Sequence, residues 1–369
     1  MTATTVPSTV DEAAAQVRAA TTPLTPRGSG SRWGSAAGTP LDTSGLNQIL
    51  EHNPGDFTAV LQAGVSLVEA QARFATAGQW LAVDPPTGRN EGGGTIGGLV
   101  ATADSGPCRQ RYGGLRDLVI GITVVLSDGT VASSGGKVIK NVAGYDLGKL
   151  FTGSYGSLGL IASVAVRLHP LPRATVTVEG STVDVTVLQT AALELNRRPL
   201  EALSSDARWN GEAGGLLVRF GGASAATQAA ALGPVLQQLG LTDVRVENDD
   251  EALWQAQRDG QRSRDAVVLK VSGQPGDLSR VIGAARDVGA SVVSRAGLGL
   301  SWIRCSPDAV AGLRAALKPL AGTVTDGARL VDQVWPSVEP GVAALNRRVK
   351  ERFDPAGRFP ALPLSTVEA

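Results

Sequence analysis

The sequence predicts an α+β protein in two parts, and three observations predict it. Glycines concentrate in three loops of the first half, at residues 28–31, 84–114 and 153–159. The segments joining those loops switch between helical and strand periodicity, with βαβ-like runs. Beyond Arg173, strands and helices mix without strict alternation, the pattern of a largely antiparallel sheet carrying helices.

Taken in order, Asp11 to Ala20 sets Ala13, Ala14, Val17 and Ala20 at helical spacing after Ser8-Thr9, a ready N-cap. Leu41 to Leu50 reads as a strand end leading into a short helix, and Phe57 to Gly64 as a strand. Val65 to Gly78 is a helix with a glycine stop, and Leu81-Ala82-Val83 the next strand, ending at Pro85-Pro86. Leu118 to Leu126 is apolar and β-branched. Ser127-Asp128-Gly129-Thr130 turns it into a hairpin, and Leu160 to Leu168 is a further strand. In the second half, strands are expected at 175–178, 214–220, 243–247, 266–271, 291–294 and 300–304, with an edge strand at 322–325. Helices are expected within 183–196 and over 225–239, 251–264, 277–288 and 307–317.

Bulk properties exclude several classes. With 34 Lys plus Arg against 34 Asp plus Glu, no net field draws the chain to nucleic acid or an anionic membrane. Two cysteines, Cys108 and Cys305, cannot build a Cys-ligated iron–sulfur cluster or a four-cysteine zinc site, so a next electron carrier must lie elsewhere. No window approaches the roughly 20 apolar residues of a membrane span. No secretory leader is visible at Met1 to Val6, and a cytoplasmic place is expected.

The glycine loops carry the chemistry. Bare backbone lets N–H groups approach a ligand closely, and pyrophosphate is the usual guest. Gly92-x-Gly94-x-x-Gly97, with Asp117 about 20 residues on, imitates the Rossmann fingerprint. That reading is discounted because Pro85-Pro86 and six further residues separate the preceding strand from Gly92.

Six ordered motifs stand out instead: Pro26-Arg27-Gly28-Ser29-Gly30-Ser31; Asp84-Pro85 with Gly94-Thr95-Ile96-Gly97-Gly98; Ala101 to Gly106 followed by Tyr112-Gly113; Ser127-Asp128-Gly129; Lys140-Asn141 with Gly144-Tyr145-Asp146; and Gly153-Ser154 with Gly156 and Gly159. Together they resemble the FAD-binding domain of the vanillyl-alcohol oxidase / para-cresol methylhydroxylase (PCMH-type) superfamily and, within it, the flavin-binding subunits of bacterial glycolate oxidases. The resemblance covers roughly residues 1–172. It implies a two-part FAD-binding domain over 1–172, an α+β cap over 173–340, and a segment 341–369 that returns to the FAD domain.

By the same resemblance, Gly28, Ser29, Gly30 and Ser31 form the first cofactor loop, and Pro85, Thr95, Ile96, Gly97 and Gly98 the second. Thr102, Ser105 and Gly106 pass the flavin, and Gly156, Gly159 and Ile161 close on it. Covalent relatives often carry a histidine in the first loop, where this chain has Gly-Ser-Gly-Ser, so the FAD is expected to be non-covalent. Tyr155 replaces a common family glutamate, and Pro360-Ala361 stands where an Asn-Pro-Gly is usual. The implied partners are a larger FAD-containing catalytic sister subunit and an iron–sulfur subunit, which could hold the chain peripherally at the inner face of the cell membrane. The implied substrate is a small 2-hydroxy acid, glycolate above all.

Oxidising such an acid needs a base, a cation for the carboxylate and a hydride acceptor. His52 and His169, the only histidines, both lie outside the expected cap. Arg89, Arg109, Arg111 and Arg116 flank the long glycine stretch, and Lys137 and Lys140 lie beyond it as sources of positive charge. No catalytic base is assigned. Two alternatives stay open: an assembly subunit with a degenerate flavin site, and a self-sufficient oxidase using Tyr145 or a cap carboxylate.

Overall fold

Thr9 caps the first helix, Val10–Ala19, by accepting a hydrogen bond from the Glu12 amide, which satisfies one of the amides a helix start leaves bare. That turns Ala13, Ala14 and Val17 onto Leu41, Val125 and Leu160, a small cluster beside the first loop. This is a computed structural model, and it describes residues 6–30, 38–87, 93–137, 146–362 and 364–366.

The N-terminal region is built on a five-stranded antiparallel sheet in the order Ile49–Asn53, Thr58–Gln62, Leu160–Arg167, Val119–Val125, Val131–Gly135. The hairpin of the last two is closed by Asp128, whose carboxylate accepts from the Thr130 amide at 2.8 Å. Leu24–Arg27 and Thr39–Asp42 form a separate parallel pair. Helices Leu67–Ala75 and Ile96–Thr102 cover the sheet and share its core with Leu61, Val124 and Val164.

The C-terminal layer is one eight-stranded antiparallel sheet, ordered Thr242–Glu247, Thr175–Thr182, Gly214–Gly221, Ser204–Trp209, Ser291–Arg295, Leu300–Cys305, Val267–Ser272, Ala321–Asp326. Helices Val185–Arg197, Ala225–Gln238, Leu278–Arg286 and Ala309–Leu317 share one core with a single face of this sheet. Because side chains alternate across a strand, the same period sends Val267, Leu269 and Val271 toward the helices and Val268 and Lys270 to the opposite face. That opposite face packs on the N-terminal region. The helix Pro340–Phe353 then returns, setting the Phe353 ring edge-on to Phe151 at 5.8 Å.

Four expectations are corrected. Residues 41–50 are not helical: the Gln62 amide bonds to the Gln48 carbonyl and the Gln62 side chain accepts from the Gln48 amide, drawing the segment into the sheet. Leu81–Val83 does not pair as a strand, because the Gln71 side chain takes both the amide and the carbonyl of Leu81. The helix at Glu251 stops at Asp259, after which Gln261 turns to the N-terminal region. Ser204–Trp209 is a central strand whose mixed Ser-Ser-Asp-Ala-Arg-Trp sequence hides its period.

Candidate functional site

The three glycine loops converge. A Cβ on Gly28 would lie 2.2 Å from Thr95 Oγ1, so the first loop touches the start of the second, and a Cβ on Gly156 would sit 3.5 Å from the Pro26 ring, so the third closes on the first. Between them is a cavity of about 170 Å³. A single water needs roughly 10–15 Å³ on this measure, so the space is of ligand scale rather than a packing defect.

Of the residues expected to bind cofactor, Gly28, Ser29 and Gly30 line this cavity from the first loop, Thr95, Gly97, Gly98 and Thr102 from the second, and Gly156, Gly159 and Ile161 from the third. Thr95 caps the helix Ile96–Thr102, accepting from the Gly98 amide at 3.3 Å, and the Thr102 hydroxyl donates back to the Gly98 carbonyl at 2.8 Å. The two adjacent glycines do different jobs. The Gly97 amide donates to the Ala63 carbonyl at 2.8 Å and a Cβ there would meet Ala63 Cβ at 2.6 Å, so Gly97 serves packing; a Cβ on Gly98 meets only Thr95 Oγ1, at 3.2 Å.

Four expected residues lie elsewhere. Pro85 lines a separate apolar groove with Leu67, Val68 and Trp80. The Ile96 side chain is fully buried in the N-terminal core. Ser105 is buried with its carbonyl accepting from Gln261 Nε2 at 3.0 Å. Gly106 is pressed against Asp84, whose carbonyl oxygen is 1.8 Å from where a Cβ would be. Ser31 lies outside the described residues, as do Arg89, Lys140 and Tyr145.

Neither histidine reaches the cavity. His52 bonds to Gln79 at 3.1 Å and stacks edge-on to Phe74, while His169 packs on the Tyr112 ring at 4.8 Å with burial pulling its pKa below the ordinary range. Lys137 pairs with Glu51 at the surface. Cys108 and Cys305 are buried free thiols, and burial pushes both pKa values up, which disfavours the thiolate a nucleophile needs.

The opposite wall was not legible in the sequence. Adjoining the large cavity, and sharing Thr102 and Tyr155 with it, is a smaller one of about 20 Å³ that also meets Arg262, Lys270 and Trp302. Arg262 pairs with Asp104 at 2.5 Å across the junction of the two regions. Behind it, Arg295 and Asp206 pair at 3.1 Å with no exposure to solvent; Arg295 lies 4.7 Å over the Trp302 ring and also bonds Gln261, which holds Ser105. Burial raises Asp206 to about 6 even against the pull of Arg295. The one available sequence signal was Lys270, a charge in the middle of the apolar run Val267–Ser272.

Glycine-lined loops with a sheet closing over them make a cofactor cradle, and FAD is its cofactor: residues 1–135 match the family described as FAD binding domain. The particular relatives follow. The chain is 37% identical over 156 residues to the Escherichia coli (strain K12) protein "Glycolate oxidase subunit GlcE", covering 42% of this chain and 44% of that protein. It is 37% identical over 158 residues to "Glycolate oxidase subunit GlcD" of Bacillus subtilis (strain 168), covering 41% and 32%. It is 38% identical over 127 residues to the D-2-hydroxyglutarate dehydrogenase of Stutzerimonas stutzeri (strain A1501), covering 34% and 27%. The alignment thus spans less than half the length of each of these relatives. In three dimensions the chain superposes on a solved alkyldihydroxyacetonephosphate synthase with a TM-score of 0.66 at 15% identity, over 95% of this chain and 73% of that one, a likeness of fold. No helix among the described residues is long and apolar enough to cross a membrane.

Proposed function

We propose that this chain is the flavin-binding component of an FAD-dependent oxidoreductase for small 2-hydroxy acids, with glycolate the leading candidate, working beside a larger FAD-containing catalytic sister subunit and an iron–sulfur subunit. The observation that carries this reading is the meeting of three loops around one ligand-sized cavity whose far wall belongs to the eight-stranded sheet. In this reading residues 1–172 hold the cofactor, 173–340 form the cap and 341–369 clamp the two together. Gly28, Ser29 and Gly30, then Thr95, Gly97, Gly98 and Thr102, and then Gly156, Gly159 and Ile161 would hold FAD, and they fit it: the cavity is of ligand scale, and Gly98 and Gly156 present bare backbone to it.

FAD, when bound, supplies the two-electron acceptor. The first loop carries no histidine among Gly28, Ser29 and Gly30, which supports non-covalent attachment. The protein's own part is to bind and to exclude water. The Gln261 and Arg262 contacts seal the junction of cap and cradle. Both thiols being buried and solitary supports an electron carrier on another chain.

The test is the visible spectrum of the purified chain before and after acid precipitation. A flavin spectrum that passes wholly to the supernatant is expected. Bleaching by glycolate only when the sister subunit is present supports relay within a complex, and bleaching of the chain alone supports a self-sufficient oxidase. A colourless chain that still assembles would refute the cofactor role.

A further inference from the structure

We propose that the small pocket beside the large cavity is a carboxylate subsite anchored by Lys270, taking the carboxylate of a small 2-hydroxy or 2-oxo acid while the rest of the acid faces the larger space. The proposal rests on reading the larger cavity as the flavin site, and it assigns the cation that such chemistry needs.

The position follows from the strand period. Lys270 stands on Val267–Ser272 between Leu269 and Val271, both committed to the helix-side core, so its side chain must leave on the other face. There it is directly opposite Trp302 in the strand register, with its ammonium 5.8 Å from that ring. Lys270 is half-buried and, among the described residues, its Nζ makes no hydrogen bond and no salt bridge, whereas a lysine drawn out of bulk water is ordinarily paired.

The charges around it show what is missing. Those that bear on Lys270 are the guanidiniums of Arg109, Arg262 and Arg295, all of its own sign. The nearby carboxylates are engaged elsewhere: Asp104 with Arg262, Asp206 with Arg295, and Asp326 with the amides of Ser263 and Gly327. Tyr155, the remaining titratable group of the pocket wall, has its pKa raised by burial and stays neutral near pH 8. Burial, then the repulsion of the three arginines, pushes Lys270 down to about 8. A bound anion reverses the repulsion and offsets the desolvation, which no group among the described residues does.

Size selects the anion. A space of about 20 Å³ holds one or two waters on the measure used above, which is the room of a carboxylate head and not of a phosphate with its sugar. Thr102 and Tyr155 belong to both spaces, so a two- or three-carbon acid seated by its carboxylate extends toward the larger one.

The experiment titrates oxalate, a planar two-carbon dianion, into the full-length FAD-loaded chain by calorimetry from pH 6.5 to 9.5, with K270M beside wild type. Wild type is expected to bind, with affinity falling as pH rises through about 8 and with net proton uptake above pH 8 but little at pH 6.5. K270M should lose at least about tenfold in affinity at pH 7 and show a flat pH profile, as loss of one charge-assisted hydrogen bond requires. Flavin content and thermal midpoint are read on both proteins, and the proton uptake of wild type tests the proposal without any variant. Wild-type affinity in K270M, a pH-independent wild type, or a yellow chain that binds no oxalate would each overturn it. A colourless chain that binds oxalate with this pH profile would refute the flavin reading and leave the subsite standing.

Discussion

The glycine cradle and the sheet face that covers it make one junction by opposite means. The cradle is backbone: three loops, each local in sequence, brought within van der Waals contact because glycine has no side chain to keep them apart. The covering face is side chain: Asp206, Gln261, Lys270, Arg295 and Trp302 come from four strands and a loop and mean nothing until the sheet is assembled. Backbone sites are governed by the room each Cβ would find and are indifferent to charge, whereas side-chain sites tolerate shape changes and are sensitive to pH. The two regions should therefore fail in different ways.

The largest effect is expected at Gly106, where a Cβ would collide with the Asp84 backbone. Gly106→Ala should cost about 3 kcal/mol of stability by urea denaturation, as overpacking against rigid backbone does. An unchanged midpoint would mean that the 84–106 contact is loose. Next comes the C-terminal clamp. Lys350 Nζ donates to the Ser157 carbonyl at 2.7 Å and the Phe359 carbonyl at 2.8 Å, and pairs with Asp354, tying the third loop to the tail. Lys350→Met should cost about 2 kcal/mol and weaken flavin retention together, because the acceptors it leaves are part-buried. Loss of stability with full flavin retention would show that the third loop holds itself.

On the covering face the signature is a pH slope. With Asp206 raised to about 6, the native state keeps a proton that the unfolded chain has released, so stability through this group falls as pH rises from about 4 to about 6. Asp206→Asn removes that share of the slope; equal slopes in urea melts of variant and wild type over pH 4–7 would show that burial does not raise the Asp206 carboxyl. The smallest stability effect belongs to Gly98→Ala, whose methyl meets only the Thr95 hydroxyl. Its melting temperature should hold or rise slightly, since alanine favours a helix by about 1 kcal/mol over glycine, while flavin affinity drops. If Gly98→Ala retains flavin and Gly97→Ala loses it through unfolding, the second loop shapes the cavity without touching the cofactor.

Most of the first half could be read from the chain because its signals are local. The Ser127-Asp128-Gly129 turn, the Thr9 cap and the alternation of Leu160 to Leu168 each declare themselves within a few residues. The reading failed where a distant group overrode a local preference: Gln71 standing in for a strand partner at Leu81, or Gln62 pulling residues 41–50 into the sheet. Nor does the sequence show that Gly97, which lines the cavity, is also fixed by packing, because Ala63, some thirty residues earlier, leaves no room for a Cβ there. Ser105 and Gly106 were read as cofactor backbone, but the partner that claims Ser105, Gln261, lies in the other half of the chain.

What the sequence determined by itself was where the backbone would be bare and that segments of clear alternation such as Leu160 to Leu168 would be strands, since both depend on residue type and short-range period. The partners of Lys270 were decided only by tertiary structure. Period 2 puts that lysine off the helix face, but whether the other face meets water, a carboxylate or three arginines depends on strand order and on the docking of the sheet, and these bring together residues more than a hundred positions apart.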